Sequence, residues 1–444
     1  MPASLKKLTV ASLAILVCSL LLVLSPTTVP EASQVQALAA DGQLTWYRGN
    51  LHAHSLWSDG DDYLEMIGLW YKERDYDFLC FTDHNVLSKT ERWTEPTKNK
   101  GGQRAFDKLK AQFPKGWVEE RTLDGKHEVK LKTYQQVSDK LAEPGKFLLI
   151  QGEEITDRFK NLPIHMNASN IQELIPPLHG ESVYQTMQNN VNAVVAQRER
   201  TGEPILIHLN HPNFGYGVTA EDLMRVRGEN FFEVYNGHPG VKNSGDKQHA
   251  STEKIWDIIL TKRLGEFGME MMYGLATDDG HNYHDVPSRK SEPGRGWVMV
   301  LADELTPQSL IPAMELGRFY SSSGVSLKKV QTSKKGLTIE VNSEKDVTYK
   351  IEFIGTKKGY NPVGKPVVGN KGQEIPTTLQ YDDAIGAVLK TATDNKATYN
   401  FTGDELYVRA VITSSKQHPN PSEVGEFQRA WSQPARGPAA MKTE

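Results

Sequence analysis

The sequence predicts an α/β fold: a parallel α/β barrel of about seven strands, followed by a small antiparallel β-sandwich. Three observations lead there. Short apolar or β-branched runs alternate with amphipathic stretches between Leu44 and Ala276, the rhythm of strands joined by helices. Almost every run ends in histidine, aspartate or glutamate, and the C-terminal ends of barrel strands are where loops converge on an active site. After Gly324 the pattern changes to alternating apolar and polar positions without long helices, which suits antiparallel sheet.

Residues 1–39 stand apart as an export signal. Lys6 and Lys7 precede an uncharged apolar run from Leu8 to Leu24, and Ala37-Leu38-Ala39 forms an A-x-A cleavage pattern. The mature chain is expected to begin near Ala40 and to be secreted, periplasmic or held at the cell surface. The apolar run is close to the lower limit for spanning a bilayer, so an uncleaved anchor is the alternative. With Cys18 inside the signal, Cys80 is alone in the exported part and no intrachain disulfide can form. Lys and Arg number 51 against 55 Asp and Glu, a net charge of −4 without a basic block outside the signal. Nucleic acid is excluded as a partner on that ground.

The first run leads into Gly49-Asn-Leu-His-Ala-His-Ser-Leu-Trp-Ser-Asp-Gly60. Residues two apart on an extended chain face the same side, so His52 and His54 aim at one point while Ala53 faces away, and Asp59 closes the segment. Residues 61–74 read as a helix with an apolar face. The second run, Tyr76 to Thr82, ends in Asp83-His84-Asn85, with Cys80 a small buried hydrophobe. An insertion, residues 87–145, carries helical stretches near Arg104 to Phe113 and Thr133 to Leu141, broken by Gly101-Gly102. It either walls the active site or is a solvated excursion.

The third run, Lys146 to Ile150, ends in Gly152-Glu153-Glu154, and the fourth, Asn161 to Ile164, ends in His165. A helix over Ser182 to Arg200 precedes the fifth, Pro204 to Leu209, which reaches Asn210-His211-Pro212. The sixth, Asn230 to Tyr235, ends in Asn236-Gly237-His238, and the seventh, Met269 to Ala276, in Thr277-Asp278-Asp279-Gly280-His281. Helix starts are expected at Thr219, at Ser251-Thr252 and at Thr306-Pro307. A ring of histidines would repel and be desolvated without a bound cation. The runs therefore point to a polynuclear metal centre. Imidazole and carboxylate ligands without nearby thiolate suit zinc, manganese or iron.

At these residues the chain resembles the PHP family, the phosphoesterase domain named for polymerase and histidinol phosphatase, and looks nearest to its carbaryl-hydrolase-like metallohydrolase branch. The likeness runs from Thr45 to Val325, giving a barrel domain at 44–325. It implies a distorted seven-stranded (β/α) barrel holding two or three divalent metal ions. Carried across by motif, the H-x-H is His52 and His54, with Asp59 following. The D-H motif gives His84 as ligand after Asp83. The G-x-E glutamate is Glu154, which would bridge two metals. His165, the H-P histidine His211, and the D-x-H pair Asp279 and His281 complete the set.

Neighbours of these residues have plainer readings. Glu153 and Asp278 each adjoin a candidate, and adjacent side chains on an extended chain point oppositely, which leaves them a supporting role. His208 lies inside the buried fifth run and is read as a core or supporting histidine. Asn236, His238, Asn282 and His284 sit on the same rim, as substrate contacts or simple surface polarity. Arg295, in Pro293-Gly-Arg-Gly-Trp297, is taken with Glu154 and Asp279 as a catalytic candidate through forked contact to substrate charge, or else as half of a structural salt bridge. No G-x-S-x-G elbow or phosphate-cradling glycine loop occurs.

The sandwich is expected over residues 328–434, with strands at Leu337 to Val341, Thr348 to Phe353 and Leu406 to Ile412, a loop or hairpin over 360–394, and an edge strand near Trp431. Residues 435–444 read as a mobile tail. The sandwich carries no ligand cluster, and either touches a polymer or cell surface or packs on the barrel. Together the sequence predicts an exported metal-dependent hydrolase. The leading expectation is a phosphoesterase using a metal-activated water on a small-molecule or polymer-derived ester. Carbamate or amide hydrolysis on the same centre is the runner-up, and a non-catalytic surface or carbohydrate-binding protein is the reading from a different class.

Overall fold

The computed structural model describes residues 44–442. The expected export signal, its uncleaved-anchor alternative and Cys18 lie outside them. Among the described residues no helix is long and apolar enough to cross a membrane.

In chain order the first part holds β1 (Thr45–Asn50), α1 (Leu64–Lys72) and β2 (Phe78–Phe81), then the insertion with β3 (Trp93–Thr94), α2 (Gly102–Gln112), β4 (Glu120–Leu123), β5 (Lys126–Lys130) and α3 (Tyr134–Leu141). Next come β6 (Leu148–Phe159), β7 (Leu162–Ser169), α4 (Val183–Thr201), β8 (Leu206–Leu209), α5 (Ala220–Leu223), β9 (Phe231–Asn236), α6 (Thr252–Lys262), β10 (Tyr273–Thr277), β11 (Trp297–Ala302) and α7 (Pro307–Glu315). The last part holds β12 (Phe319–Ser322), β13 (Leu327–Ser333), β14 (Gly336–Val341), β15 (Tyr349–Lys357), β16 (Ala387–Ala392), β17 (Lys396–Asn400), β18 (Glu405–Gln417), β19 (Phe427–Ser432) and β20 (Ala435–Arg436).

Several helices start where short polar side chains satisfy free amides. Ser182 accepts from Gln185, Ser251 from Lys254, and Thr133 makes a reciprocal cap with Gln136. Thr306 stands at the start of α7 without a capping hydrogen bond, and Pro307 does the work of fixing φ there. Helix α4 stops at Gly202, whose φ of 72° only glycine adopts without strain.

One large mixed sheet runs in the order β10-β9-β8-β7-β6-β2-β1-β11-β12-β19-β18-β15-β16, with β20 on β18. Within it β1, β2 and β6 are parallel, as are β8, β9 and β10. A parallel bridge between Ala53 and Gly280 brings the segment after β1 against the segment after β10.

Two features depart from the expected repeat of parallel strands. The third and fourth runs form an antiparallel hairpin, Gly152 opposite Ser169 through Phe159 opposite Leu162, and β7 is antiparallel to β8 as well. The cause is local: β6 continues past Glu154 to Phe159 and reverses at Lys160, with φ of 55°, so no helix intervenes. In addition β11, which the sequence reading missed, lies antiparallel to β1.

The C-terminal strands also differ from a free-standing sandwich. β12 joins β11, and β19, β18, β15 and β16 extend the same ladder. A separate sheet, β13-β14-β17, shares one apolar core with it, in which Leu337 and Ile339 meet Ile351, Phe353 and Val408. The expected mobile tail is partly ordered: Ala435 and Arg436 pair with β18, and the Met441 amide donates to the Leu264 carbonyl. Burial of Ala435 and these backbone hydrogen bonds hold it.

Candidate metal centre

The centre is assembled just beyond the ends of β1, β2, β8 and β10 and along the β6–β7 hairpin. After β1 the chain stays extended: the His54 amide donates to the Gly280 carbonyl and the Thr82 amide to the Ala53 carbonyl. This clamps the segment from both sides. His52 and His54 are fully buried, with their Nε2 atoms 3.0 Å apart. The loop then folds back so closely that a Cβ on Gly60 would meet the His54 carbonyl at 2.4 Å, and it returns Asp59 to the site. Asp59 Oδ1 lies 3.2 Å from His281 Nε2 and 3.5 Å from His84 Nε2.

Glu154 sits at the middle of the cluster. Its Oε2 is 3.1 Å from His54 Nε2, 3.5 Å from His52 Nε2 and 2.9 Å from His84 Nδ1. Its Oε1 is 3.0 Å from His165 Nδ1 and 3.6 Å from His211 Nε2. The β6–β7 hairpin explains His165: its register sets Thr156 opposite His165, so the histidine folds back beside Glu154. Asp279, just beyond β10 and at φ of 50°, places Oδ1 3.3 Å from both His52 Nε2 and His54 Nε2. That left-handed backbone is a strained state for a non-glycine residue.

All nine candidates therefore converge. Four overlapping groups could each hold a metal ion: His54, Asp59, His84 and His281; His52, His54 and Glu154; His52, His211 and Asp279; and His84, Glu154 and His165. Their own hydrogen bonding is incomplete. Glu154 Oε2, Asp59 Oδ1, His54 Nδ1 and His165 Nδ1 are buried atoms without a hydrogen-bond partner, and such orphans are rare in a settled interior. Lone pairs crowded at about 3 Å and left unpaired suit divalent cations, the hard and borderline ions that imidazole and carboxylate bind.

The electrostatics agree. Burial alone would raise the Glu154 carboxyl, yet His84, His52 and His165 hold it well below the usual range. Asp279 behaves likewise against His52, His54 and His281. Burial alone would lower the His52 imidazole, but Asp279, Glu233 and Glu154 push it well up, and Glu154 with Asp59 pushes His84 up to about 9. Imidazoles held above their usual range thus face carboxylates held below theirs, and cations at the centre would compete with protons for the ring nitrogens.

Several residues support the ligands: Glu233 is not singled out in the sequence, and Asn236 reads there as a rim residue. Glu233 is completely buried, takes His52 Nδ1 at 2.6 Å and Thr277 Oγ1 at 2.7 Å, and accepts the His211 amide at 2.8 Å. It thereby leaves His52 Nε2 as the lone-pair nitrogen facing the centre. Asn210 donates to Glu154 Oε1 at 2.7 Å, and Asn236 donates to both Glu233 and Asp279. Asp83 accepts from the Ser55 amide and hydroxyl and from the Ser58 hydroxyl, which fixes the loop after His54. The signal for Glu233 was present: a charged residue in the middle of the apolar run Phe231-Phe-Glu-Val-Tyr235.

Other neighbours turn away. Glu153 accepts from the Ile175 amide, and Asp278 from the Tyr71 hydroxyl and the Arg295 amide. His208 is buried, 3.5 Å from Glu233, and His284 contacts the Asp61 carbonyl. Arg295 requires a correction. Its guanidinium is buried, ion-paired to Glu292 at 3.0 Å, and donates to the Gly237 carbonyl at 2.7 Å and to Asn420 Oδ1 at 3.0 Å. With its donors spent on these partners it does not line the cleft.

The cleft above the centre has a volume of about 300 Å³. Besides the candidate ligands, Lys100, Phe214, His238, Asn282, Lys290 and Ser291 line it. Lys100 belongs to the insertion, which thus contributes to the wall.

No protein-family model matches the chain, and a search of curated proteins found no match. Among solved structures, the chain is similar to a two-domain protein containing a predicted PHP-like metal-dependent phosphoesterase from Bacteroides vulgatus. Identity is 15%, with 88% of this chain and 95% of that chain covered and a TM-score of 0.39. It is also similar to a protein from Bifidobacterium adolescentis assigned as a metal-dependent phosphoesterase, with 10% identity, 52% of this chain and 87% of that chain covered, and a TM-score of 0.28.

Proposed function

We propose that this chain is an exported, PHP-type metal-dependent hydrolase that cleaves a phosphoester. The observation that carries the reading is the convergence of nine histidine, aspartate and glutamate side chains, from six separate segments, into overlapping ligand groups with orphaned buried atoms. A scaffold retained only for binding has no reason to keep polar atoms buried without hydrogen-bond partners. Export is supported by Lys6, Lys7, the apolar run to Leu24 and Ala37-Leu38-Ala39.

Divalent cations in such a centre supply water activation and charge neutralisation at a phosphoryl group. The chain's own residues do the rest. Glu154 would bridge, because its two oxygens face different imidazoles. Glu233 sets the tautomer of His52, and Asn210 and Asn236 orient the Glu154 and Asp279 carboxylates. The set contains no serine or cysteine nucleophile poised by a base, so direct attack by water without a covalent enzyme intermediate fits the residues present.

The test is turnover by protein reconstituted with zinc, manganese or iron on chromogenic phosphoesters, esters and carbamates, with oxygen-18 water as solvent. Phosphate carrying one solvent oxygen is the expected product of a monoester. Carbamate or amide turnover without phosphoester turnover would hand the site to the carbaryl-hydrolase-like reading. Inactivity on every class would favour a binding protein.

A further inference from the structure

Apart from the candidate ligands, the lining of the cleft carries two ammonium groups and no carboxylate. They arrive from opposite parts of the chain, Lys100 from the insertion before α2 and Lys290 from the loop between β10 and β11. Arg104 and Asp285 clasp the two parts together, with Arg104 Nη2 2.6 Å from Asp285 Oδ1.

Both lysines stand just outside the ligand shell. Lys100 donates to the Asp59 carbonyl and lies 3.7 Å from Asp59 Oδ2, while Oδ1 of the same carboxylate is the atom turned to His281 and His84. Lys290 precedes Ser291, whose carbonyl accepts the His281 and Asn282 amides and whose hydroxyl donates to the Asp279 carbonyl. Both side chains are exposed, whereas His52, His54, Glu154 and Asp279 are buried on the floor. Lys290 has no carboxylate partner among the described residues. Asp285, the acid whose charge it shares, is already held by Arg104.

Two ammonium groups at the mouth of a site whose floor would hold divalent cations repel that floor. Asp59 offsets part of the Lys100 charge, and negative charge that a ligand brought to the rim would meet both ammonium groups. A single phosphoryl group, with a charge of about −2, would be gripped by the floor. His238 adds a neutral donor to the wall: its Nδ1 accepts the Gly240 amide at 2.9 Å, which leaves the proton on Nε2.

We propose that Lys100 and Lys290 form a rim subsite for a second anionic group, so that the substrate is a small phosphoester bearing a further phosphate or carboxylate. This rests on the hydrolase reading for its reaction, but the subsite can be tested without turnover. Isothermal titration of metal-loaded protein would compare propylphosphonate, which has one anionic end, with phosphonopropionate and ethylene bisphosphonate, which have two. The two-ended ligands are expected to bind at least tenfold more tightly, and whichever gains more identifies carboxylate or phosphate as the second group. That advantage should shrink in Lys290→Gln and vanish in Lys100→Gln/Lys290→Gln, with metal content measured alongside to confirm an intact centre. Equal affinities in the unaltered protein, or an advantage that survives the double substitution, would overturn the subsite. Failure of the hydrolase reading would show separately, as absent turnover beside intact two-ended binding.

Discussion

Two of the buried charge clusters among the described residues are built on opposite terms. Where α6 meets the C-terminal strands, Arg409 gives Nε and Nη2 to the two oxygens of Asp257 at 2.8 and 2.7 Å, Tyr407 donates to Asp257 Oδ1 at 2.8 Å, and Glu253 is shared by Arg409 and Arg429. Opposite charges are matched there in forked geometry, and the Asp257 carboxylate is saturated. Beyond β1 and β10 and along β6 the cluster is histidine against carboxylate, and Glu154 Oε2, His54 Nδ1 and His165 Nδ1 have no hydrogen-bond partner. The Asp257 carboxylate is satisfied by protein atoms alone and joins helix to sheet. The second cluster leaves buried nitrogen and oxygen atoms without a hydrogen-bond partner, an arrangement that suits cations.

The sharpest way to break this contrast is to remove a ligand. Alanine at His84, Glu154 or Asp279 should release metal and lower activity by roughly a thousandfold or more, since an interaction at the reacting centre is lost. The melting temperature should fall as well, because metal at a hundred times its dissociation constant stabilises by about 2.7 kcal/mol. Elemental analysis checks it, and full occupancy in all three variants would sink the assignment. His238→Ala, which changes the wall alone, should keep its metal.

At the saturated cluster the prediction reverses. Asp257→Ala leaves Arg409 buried without its main partner and should cost about 3–5 kcal/mol of stability. Bound metal per folded molecule should stay constant in the same elemental analysis. A drop in metal content without a drop in denaturation midpoint would show that the two clusters are not separate.

The unequal visibility of these clusters in the sequence has a physical cause. His52 and His54 are legible because residues two apart on extended backbone face one point, and Asp279 and His281 because one short segment supplies both at the same spacing, although the left-handed backbone at Asp279 makes that turn. Asp257, Glu253, Arg409 and Arg429 come from segments more than a hundred residues apart, and nothing local marks an arginine that will find an aspartate. The same holds for Arg295 and Asn420, which is why Arg295 read as a substrate contact. For the fold, the apolar runs marked most strands, but direction is not written in a run. β6 and β7 looked like two more parallel strands until their pairing made them a hairpin, and β11 followed no recognised ligand and went unseen.

Proton balance separates the clusters next. In metal-free protein the His84 imidazole is raised from 6.5 to about 9. Its contribution to stability is therefore fully present below pH 6.5 and lost as pH rises through about 9. The Asp59, Glu154 and Asp279 carboxyls are held below their usual range, so their contribution is present above that range and lost as pH falls through their folded values. Denaturation of the metal-free protein should thus show stability declining between pH 6.5 and 9. Metal-loaded protein should behave oppositely and lose metal as pH falls, because protons compete for the imidazoles. A flat profile for the metal-free protein across that alkaline window would mean that the cluster carries no such proton.

The finest distinction lies in Glu233, which belongs to the metal centre by contact but to the saturated kind by bonding. Its oxygens are fully engaged: Oε1 by His52 Nδ1 and Thr277, Oε2 by the His211 amide and Asn236. Glu233→Gln keeps the volume and one carbonyl oxygen, but it removes the charge that favours a proton on His52 Nδ1 and sets an NH2 group against donors. The His52 Nε2 lone pair would then be less firmly presented to the centre. Loss of such a supporting contact typically weakens metal binding about 10- to 100-fold, which corresponds to about 1.4–2.7 kcal/mol. Competition against a chelator measures that shift directly. Affinity unchanged within about twofold would mean that His52 is held by the backbone clamp at Ala53 and His54 alone, and that Glu233 is a buried structural carboxylate like Asp257.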